Sequence, residues 1–160
     1  MSKNDSHLPV YGVGPYLIIP IVLTAIMGLI LTIFKMIPIY EMPQINLFLT
    51  IWGLLMIILG AFFWVSAVKS RIDEKIKSNQ LETSGIYGIV RHPIYAAFLY
   101  ASTGIILISN NLYLLILPIV YWIFLSISLQ KTEEKWLIDL YGDDYIKYSK
   151  KVNRFFPKVI

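Results

Sequence analysis

The chain contains no cysteine, and charged residues make up only 15% of its 160 residues. Without cysteine, disulfides and thiolate metal sites are excluded, and we expect no metal site. The few charges are also unevenly distributed, because none lies between residues 45 and 68 or between residues 94 and 130. Uncharged stretches of this length are typical of helices that cross a membrane.

The uncharged stretches are strongly apolar. Hydrophobic residues make up 57% of the chain, and its mean hydropathy is +0.66. A membrane-spanning helix needs about 20 mostly apolar residues. We therefore predict a single-domain, all-α integral membrane protein with about four transmembrane helices and a helical C-terminal region in the cytoplasm. The predicted spans are 15–37, 45–68, 94–108 and 112–129.

The basic residues favour one orientation in the membrane. Of the 14 lysines and arginines, only Lys35 lies towards the other side, near the end of the first span; the others precede the first span, separate the second from the third, or follow the fourth. Because basic residues concentrate on the cytoplasmic side, we predict that both termini and the segments 69–93 and 130–160 are cytoplasmic. This topology already explains the net charge of +4, so we expect contact with the lipid bilayer and none with nucleic acid.

The stretch GIYGIVRHPIY places two basic residues directly before the third predicted span. Polar groups beside hydrocarbon are costly, so Arg91 and His92 mark a candidate site. Pro93 suits the first turn of a helix, and the free N–H groups of that turn favour an anion. Tyr87 and Tyr95 flank this group on either side. We therefore predict an anion-binding corner at the start of the third span.

Two later features are ambiguous when each is considered alone. Glu133 and Glu134 are adjacent, so on a helix they point about 100° apart and at most one is expected to face a given pocket. Between Lys131 and Lys135, they equally fit a solvated pair on the surface. Arg154 equally fits an arginine that binds lipid headgroups or fixes the topology. Neither feature defines a site by itself.

Together, GIYGIVRHPIY and the later EEKWLIDLYGDDYIKYSKKVNRFFP resemble the isoprenylcysteine carboxyl methyltransferase family and its relatives, which include phospholipid N-methyltransferases. The shared pattern is G-x-Y-x-x-V-R-H-P-x-Y, a two-helix hairpin, E-E-x-x-L, G-x-x-Y-x-x-Y and a closing R-F-x-P. It covers about residues 80 to 157, half of the chain. The chain departs from the usual pattern at Ala97, where the family often has Gly, and at Asn153, where it often has Pro.

The resemblance implies S-adenosylmethionine as the methyl donor and a lipidic or lipidated methyl acceptor. It also implies catalytic positions for Glu134 and Arg154, with Arg154 next to the acceptor. A carboxylate acceptor, as in isoprenylcysteine carboxyl O-methylation, is favoured because an arginine binds a carboxylate through two parallel hydrogen bonds. The positions matched to the cofactor site are Tyr87, Val90, Arg91, His92, Pro93, Tyr95, Glu133, Glu134, Leu137, Tyr145 and Tyr148.

Other functions remain open from the sequence. The acceptor is alternatively a phospholipid amine or a small thiol, and an amine would need a general base. A membrane reductase of the sterol-reductase type, dependent on NADPH, is a further alternative, although that group usually shows R-H-x-N-Y where this chain has Arg-His-Pro-Ile-Tyr. The last alternative is a membrane binding or scaffold protein that retains the pocket without catalysis.

Overall fold

The computed structural model describes residues 13–70 and 80–158, and the regular secondary structure of these residues is entirely helical. This confirms the predicted all-α class for the described part of the chain. Within the predicted cytoplasmic segment 69–93, residues 71–79 lie outside the described residues. The helices are α1 Gly14–Ile33, α2 Pro43–Lys69, α3 Pro93–Ile108, α4 Ile116–Lys131, α5 Glu133–Tyr141 and α6 Asp143–Lys151, with 3-10 turns at Gly85–Gly88 and Leu112–Leu115.

Several of these helices have the length and composition of membrane spans. Three stretches are long and apolar enough to cross a membrane, namely Gly14–Ile33, Pro43–Lys69 and Leu112–Tyr141. The helix α3 is apolar but shorter, with 16 residues. Large apolar side chains cover the outside of the bundle, as for Leu47 and Ile58, which are 72% and 65% exposed. Such a surface is suited to lipid rather than water, and the chain is an integral membrane protein with three or four spans.

The largest difference from the predicted spans occurs at the end of α1. The sequence predicts a span over 15–37, but the helix ends at Ile33 because Lys35 adopts a left-handed backbone conformation with φ +54°. The Lys35 N–H then donates to the carbonyl of Thr32, and the Met36 N–H donates to the carbonyl of Leu31. This pair of hydrogen bonds is a Schellman closure, which ends a helix by satisfying its last carbonyls.

The other spans follow the prediction more closely. Predicted spans 45–68 and 94–108 correspond to α2 and α3, each of which has a proline in its first turn. The predicted span 112–129 begins with the 3-10 turn Leu112–Leu115 before α4 continues to Lys131. Proline and local turn geometry therefore shift the ends of the helices without changing their order.

The most extensive helix contact joins α2 to α3 and depends on small residues. A Cβ atom on Gly53 would lie 2.7 Å from the carbonyl oxygen of Gly104, and one on Gly60 would lie 2.6 Å from that of Ala97. Real Cβ atoms do not approach so closely, so the two helix backbones touch at these levels. The methyl group of Ala97, at a position where the family often has Gly, is therefore compatible with close packing.

One end of the bundle is closed by the side chain of Asn111, which is 1% exposed. Its oxygen accepts hydrogen bonds from the backbone N–H groups of Tyr40, at 3.3 Å, and Tyr113, at 3.2 Å. Its nitrogen donates to the carbonyl of Pro38, at 3.0 Å, and to the hydroxyl of Thr32, at 3.4 Å. These bonds hold the α1–α2 loop against the beginning of α4. The beginning of α3, the end of α4, α5 and α6 meet at the opposite end.

Candidate functional site

A break between α4 and α5 places both carboxylates of the acidic pair. The helix α4 ends at Lys131, Thr132 leaves the helical conformation with φ −120° and ψ −90°, and α5 begins at Glu133. Glu133 and Glu134 consequently occupy the first turn of α5, where negative charge is stabilised by the helix dipole. Glu134 is 5% exposed, so this carboxylate needs partners within the protein.

Glu134 is surrounded by basic side chains. Arg154 binds it through two hydrogen bonds, from Nε to Oε1 at 2.7 Å and from Nη2 to Oε2 at 2.8 Å. Arg91 Nη2 and His92 Nε2 each lie 3.3 Å from the same Oε1 atom. The bonds to Glu134 raise the pKa of the Arg154 guanidinium, which therefore stays charged. The result is a buried carboxylate at the centre of a cluster of basic side chains, which is called the charged cluster below.

Glu133 faces the other edge of the same imidazole ring. The hydroxyl of Tyr95 donates to Glu133 Oε1, and His92 Nδ1 lies 3.9 Å from Glu133 Oε2. Both carboxylates of the acidic pair therefore contact His92, from different edges of its ring. The two nitrogens of an imidazole lie on different edges of the ring, so two carboxylates that diverge by about 100° can both approach it.

Arg154 reaches the cluster because the segment 152–157, here named the C-terminal strap, pairs with the chain just before α3. The Arg91 N–H donates to the carbonyl of Asn153 at 2.8 Å, and the His92 N–H donates to the carbonyl of Arg154 at 3.1 Å. Asn153 takes part only through its carbonyl, a group that proline also has. The departure from the family pattern at this position therefore leaves the backbone pairing possible.

Two tyrosines of α6 cover the cluster. The Tyr148 hydroxyl donates to the carbonyl of Tyr87 at 2.5 Å, which ties α6 to the 3-10 turn before α3. The guanidinium carbon of Arg91 lies 5.9 Å from the ring centroid of Tyr145, within the range of a cation–π contact. Burial raises the pKa of both Tyr145 and Tyr148, so both hydroxyls remain protonated and able to donate.

Some hydrogen-bonding atoms in the cluster are buried without a partner. Arg91 Nε and the Tyr145 hydroxyl have no hydrogen-bond partner among the described residues. A buried polar group of this kind is costly unless it binds something. Both residues belong to the predicted site, where these atoms are available to a polar group of a ligand.

The remaining predicted site residues are part of the packing around the cluster. Val90 is completely buried, and Pro93 is also fully buried at the first turn of α3. Leu137 is half-buried, one turn beyond Glu133 on α5. The structure thus brings the charged members of the predicted site together, while these three apolar residues lie on the same segments of the chain.

The sequence did not indicate a cavity of about 290 Å³ beside the cluster. Trp122 and Ser126 of α4 contribute to its wall, and four residues apart they lie on the same helix face. A serine inside an uncharged span is a weak signal, because it often bonds only to its own helix backbone. The cavity is lined by Arg91, Trp122, Ser126, Asn153, Arg154, Phe155 and Phe156.

The fold and the site define an all-helical membrane protein with a buried ionic cluster at one end of its bundle. A family model described as phospholipid methyltransferase matches residues 48–144 of the chain. This range contains most of α2 and all of α3 to α5, including the motif at Arg91 and His92 and the acidic pair. The chain belongs to this methyltransferase family, which confirms the resemblance noted in the sequence.

Individual relatives agree with the family assignment. A protein-S-isoprenylcysteine O-methyltransferase of Xenopus laevis is 33% identical over 126 residues, which cover 73% of this chain and 43% of the relative. The protein of the same name from Schizosaccharomyces pombe is 38% identical over 88 residues, covering 54% and 37% respectively. A methanethiol S-methyltransferase 1 of Bradyrhizobium diazoefficiens is 35% identical over 78 residues, covering 49% and 26%. The chain therefore spans less than half the length of these curated relatives.

Proposed function

We propose that this chain transfers a methyl group from S-adenosylmethionine to a lipidic or lipidated acceptor, with a carboxylate as in isoprenylcysteine O-methylation as the favoured acceptor group. The observation that carries the proposal is the cluster in which Arg154 and Glu134 form a double hydrogen bond beside Arg91 and His92. The cluster lies at the end of an apolar bundle and borders a cavity. Family membership and the names of the relatives support the same reaction type.

The residues present fit the polar groups of S-adenosylmethionine. The unpaired Arg91 Nε, the Tyr145 hydroxyl and the first turn of α3 are donors suited to a carboxylate. Glu133, whose side chain is 20% exposed, is suited to an ammonium group. The aromatic rings of Tyr145 and Tyr148 favour an adjacent sulfonium by cation–π attraction, worth about 0.5–2 kcal/mol. When bound, S-adenosylmethionine would supply a methyl carbon that its sulfonium group activates towards displacement.

The reaction mainly requires positioning from the chain itself. Transfer of a methyl group to a nucleophile is an in-line displacement, and good alignment contributes up to about 7–11 kcal/mol in ideal cases. Burial of the cluster keeps water away from the reacting groups. His92 is held between Glu133 and Glu134, which fixes the ring at the start of α3. The basic and acidic residues thus provide a rigid frame for both reactants.

Arg154 is the residue we assign to the acceptor. Its guanidinium has five N–H donors, and only two of them are used in the hydrogen bonds to Glu134. The side chain is 27% exposed and lines the cavity, whereas that of Glu134 is only 7% exposed. Glu134 therefore fixes the plane of the guanidinium, and the remaining donors are available to an acceptor carboxylate.

Cofactor binding is the first test of this function. Titration of the detergent-solubilised protein with S-adenosylhomocysteine and, separately, with NADPH distinguishes a methyltransferase from a reductase. We expect saturable binding of S-adenosylhomocysteine and none of NADPH. Binding of NADPH alone would replace the proposal with a reductase, and binding of neither would favour a protein without catalytic function.

The acceptor is tested by methyl transfer to a matched series of compounds. We expect turnover of a prenylcysteine with a free carboxylate and none of the corresponding amide, because Arg154 needs an anionic partner. An ethanolamine phospholipid and a small alkyl thiol test the acceptors indicated by the family name and by the methanethiol S-methyltransferase relative. Faster turnover of either would overturn the carboxylate assignment while retaining the methyltransferase.

A further inference from the structure

Tyr100 lies near the middle of α3, away from the charged cluster, and is 6% exposed. Its ring packs against Phe63 of α2, with the two centroids 5.4 Å apart. Its hydroxyl donates to the carbonyl of Phe155, in the C-terminal strap, at 2.9 Å. A buried tyrosine in an apolar bundle places its one polar atom where a partner is available, and here that partner is the strap.

The bond from Tyr100 completes a series of contacts along the strap. The carbonyls of Asn153, Arg154 and Phe155 are consecutive, and each accepts a hydrogen bond from the region of α3: from the Arg91 N–H, the His92 N–H and the Tyr100 hydroxyl respectively. The first two donors belong to the backbone and are therefore available whatever the side chain. The third depends on the identity of residue 100 alone.

Ring contacts strengthen the same connection. Phe156 meets the Tyr100 ring edge-on with 5.8 Å between centroids, and Phe155 is 1% exposed, with its ring 6.5 Å from that of His92. Both phenylalanines line the cavity beside Arg154. The residue that holds their backbone therefore also holds one wall of that cavity.

We propose that Tyr100 is a positioning residue, which fixes the strap at Phe155 and thereby directs Arg154 towards the acceptor; this rests on the proposed function. Arg154 lies between two anchored carbonyls, those of Asn153 and Phe155. Its double hydrogen bond to Glu134 tolerates little displacement, because both N–H groups must remain in line with the carboxylate oxygens. Release of the Phe155 carbonyl lets the segment move at the residue next to Arg154.

The substitution Tyr100→Phe tests this role because it removes only the hydroxyl. We expect kcat/KM for the carboxylate acceptor to fall about threefold to tenfold, the equivalent of one buried hydrogen bond, with unchanged affinity for S-adenosylhomocysteine. The matched control is Tyr121→Phe on α4, where the hydroxyl of a buried tyrosine bonds Thr24 of α1 at 2.9 Å and not a carbonyl of the strap. A loss of the same size in the control, or a parallel loss of cofactor affinity in Tyr100→Phe, would overturn the proposal.

A double-mutant cycle shows whether Tyr100 acts through Arg154. If it does, Tyr100→Phe has little further effect on kcat/KM in an Arg154→Lys background, whereas Tyr121→Phe combines independently with Arg154→Lys. Full additivity of Tyr100→Phe and Arg154→Lys would mean that Tyr100 has only a general structural role.

Amide hydrogen exchange tests the strap without any assay of function. We expect the Arg91 and His92 amides, which donate to the strap, to exchange about threefold to tenfold faster in Tyr100→Phe than in the parent, and at the parent rate in Tyr121→Phe. Unchanged exchange in Tyr100→Phe would contradict the anchoring role even if turnover fell. Faster exchange in a protein that transfers no methyl group would support the anchor and refute only the proposed function.

Discussion

The two ends of the helical bundle both bury polar side chains but satisfy them differently. At one end, the side chain of Asn111 makes four hydrogen bonds to groups that are all neutral. At the other end, Glu133 and Glu134 meet Arg91, His92 and Arg154, so nearly every participant carries or can carry charge. The first arrangement closes a loop; the second concentrates charge at the end of an apolar bundle.

The side chain of Asn111 is fully hydrogen-bonded, although Asn46 and Asn110 at the same end each have a buried amide oxygen without a partner among the described residues. Asn111 is 1% exposed and its amide has a partner for each of its bonding positions. In the charged cluster, Arg91 Nε and the Tyr145 hydroxyl are buried without a partner among the described residues, and Arg154 retains unused donors. The bonds of Asn111 fix the fold, whereas basic side chains with unused donors are suited to binding an anion.

The first prediction, with the largest expected effect, is that the two ends of the bundle lie on opposite sides of the membrane. Single cysteines replacing exposed Glu41, in the α1–α2 loop, and exposed Lys150, at the end of α6, provide one label position at each end of this cysteine-free chain. With an impermeant thiol reagent on intact cells, we expect complete labelling at 41 and none at 150, because basic residues favour the cytoplasm.

Permeabilised cells, in which both positions should react, control for access to the thiols. The parent chain has no cysteine and reports background labelling. Labelling at 150 but not at 41 would show that the charged cluster faces away from the cytoplasm.

The second prediction concerns the centre of the charged cluster. Glu134→Gln removes the charge that Arg91, His92 and Arg154 share, and we expect affinity for S-adenosylhomocysteine to fall by about 1–3 kcal/mol, the cost of losing a charged hydrogen-bond partner. Calorimetric titration in detergent measures this change. Glu41→Gln, an exposed carboxylate at the opposite end, is the matched control; equal affinity in both variants would remove Glu134 from the cofactor site.

The third prediction separates acceptor from cofactor within the charged cluster. Arg154→Lys keeps the positive charge but loses the planar double hydrogen bond to Glu134. We expect turnover of a carboxylate acceptor to fall about tenfold or more, with affinity for S-adenosylhomocysteine nearly unchanged. Lys158→Arg, at an exposed position beyond the strap, controls for exchange of the two residue types. If cofactor affinity fell in proportion to turnover, Arg154 would belong to the cofactor site.

The smallest expected effect on cofactor affinity is at the end of the bundle that Asn111 closes, where all the bonded groups are neutral. Asn111→Ala leaves the N–H groups of Tyr40 and Tyr113 and the carbonyl of Pro38 without their partner, so we expect the free energy of unfolding to fall by about 1–3 kcal/mol. Thermal unfolding in detergent measures the loss, with the exposed substitution Gln44→Ala as control. Affinity for S-adenosylhomocysteine should not change in either variant. A large loss of affinity in Asn111→Ala would erase the distinction between the two ends.

The sequence predicts much of the architecture because membrane helices leave strong local signals. The apolar stretches, the prolines at the beginning of α2 and α3, and the polar turn before α4 each depend on neighbouring residues alone. The end of α1 was misjudged because Lys35 takes a left-handed conformation that usually requires glycine. The role of Tyr100 was not predicted, since a tyrosine in an apolar helix does not reveal where its hydroxyl points.

The sequence by itself determined which stretches are apolar enough to form spans, how the basic residues are distributed around them, and which residue types are available at the helix ends. Those properties follow from hydropathy and charge along the chain. Only the tertiary structure decided that Arg154 meets Glu134 twice, that His92 lies between two carboxylates, and that Tyr100 holds the strap. These contacts join residues that are 20 to 55 positions apart, and they require the backbone geometry given by the break at Thr132 and by the pairing of the strap with the chain before α3.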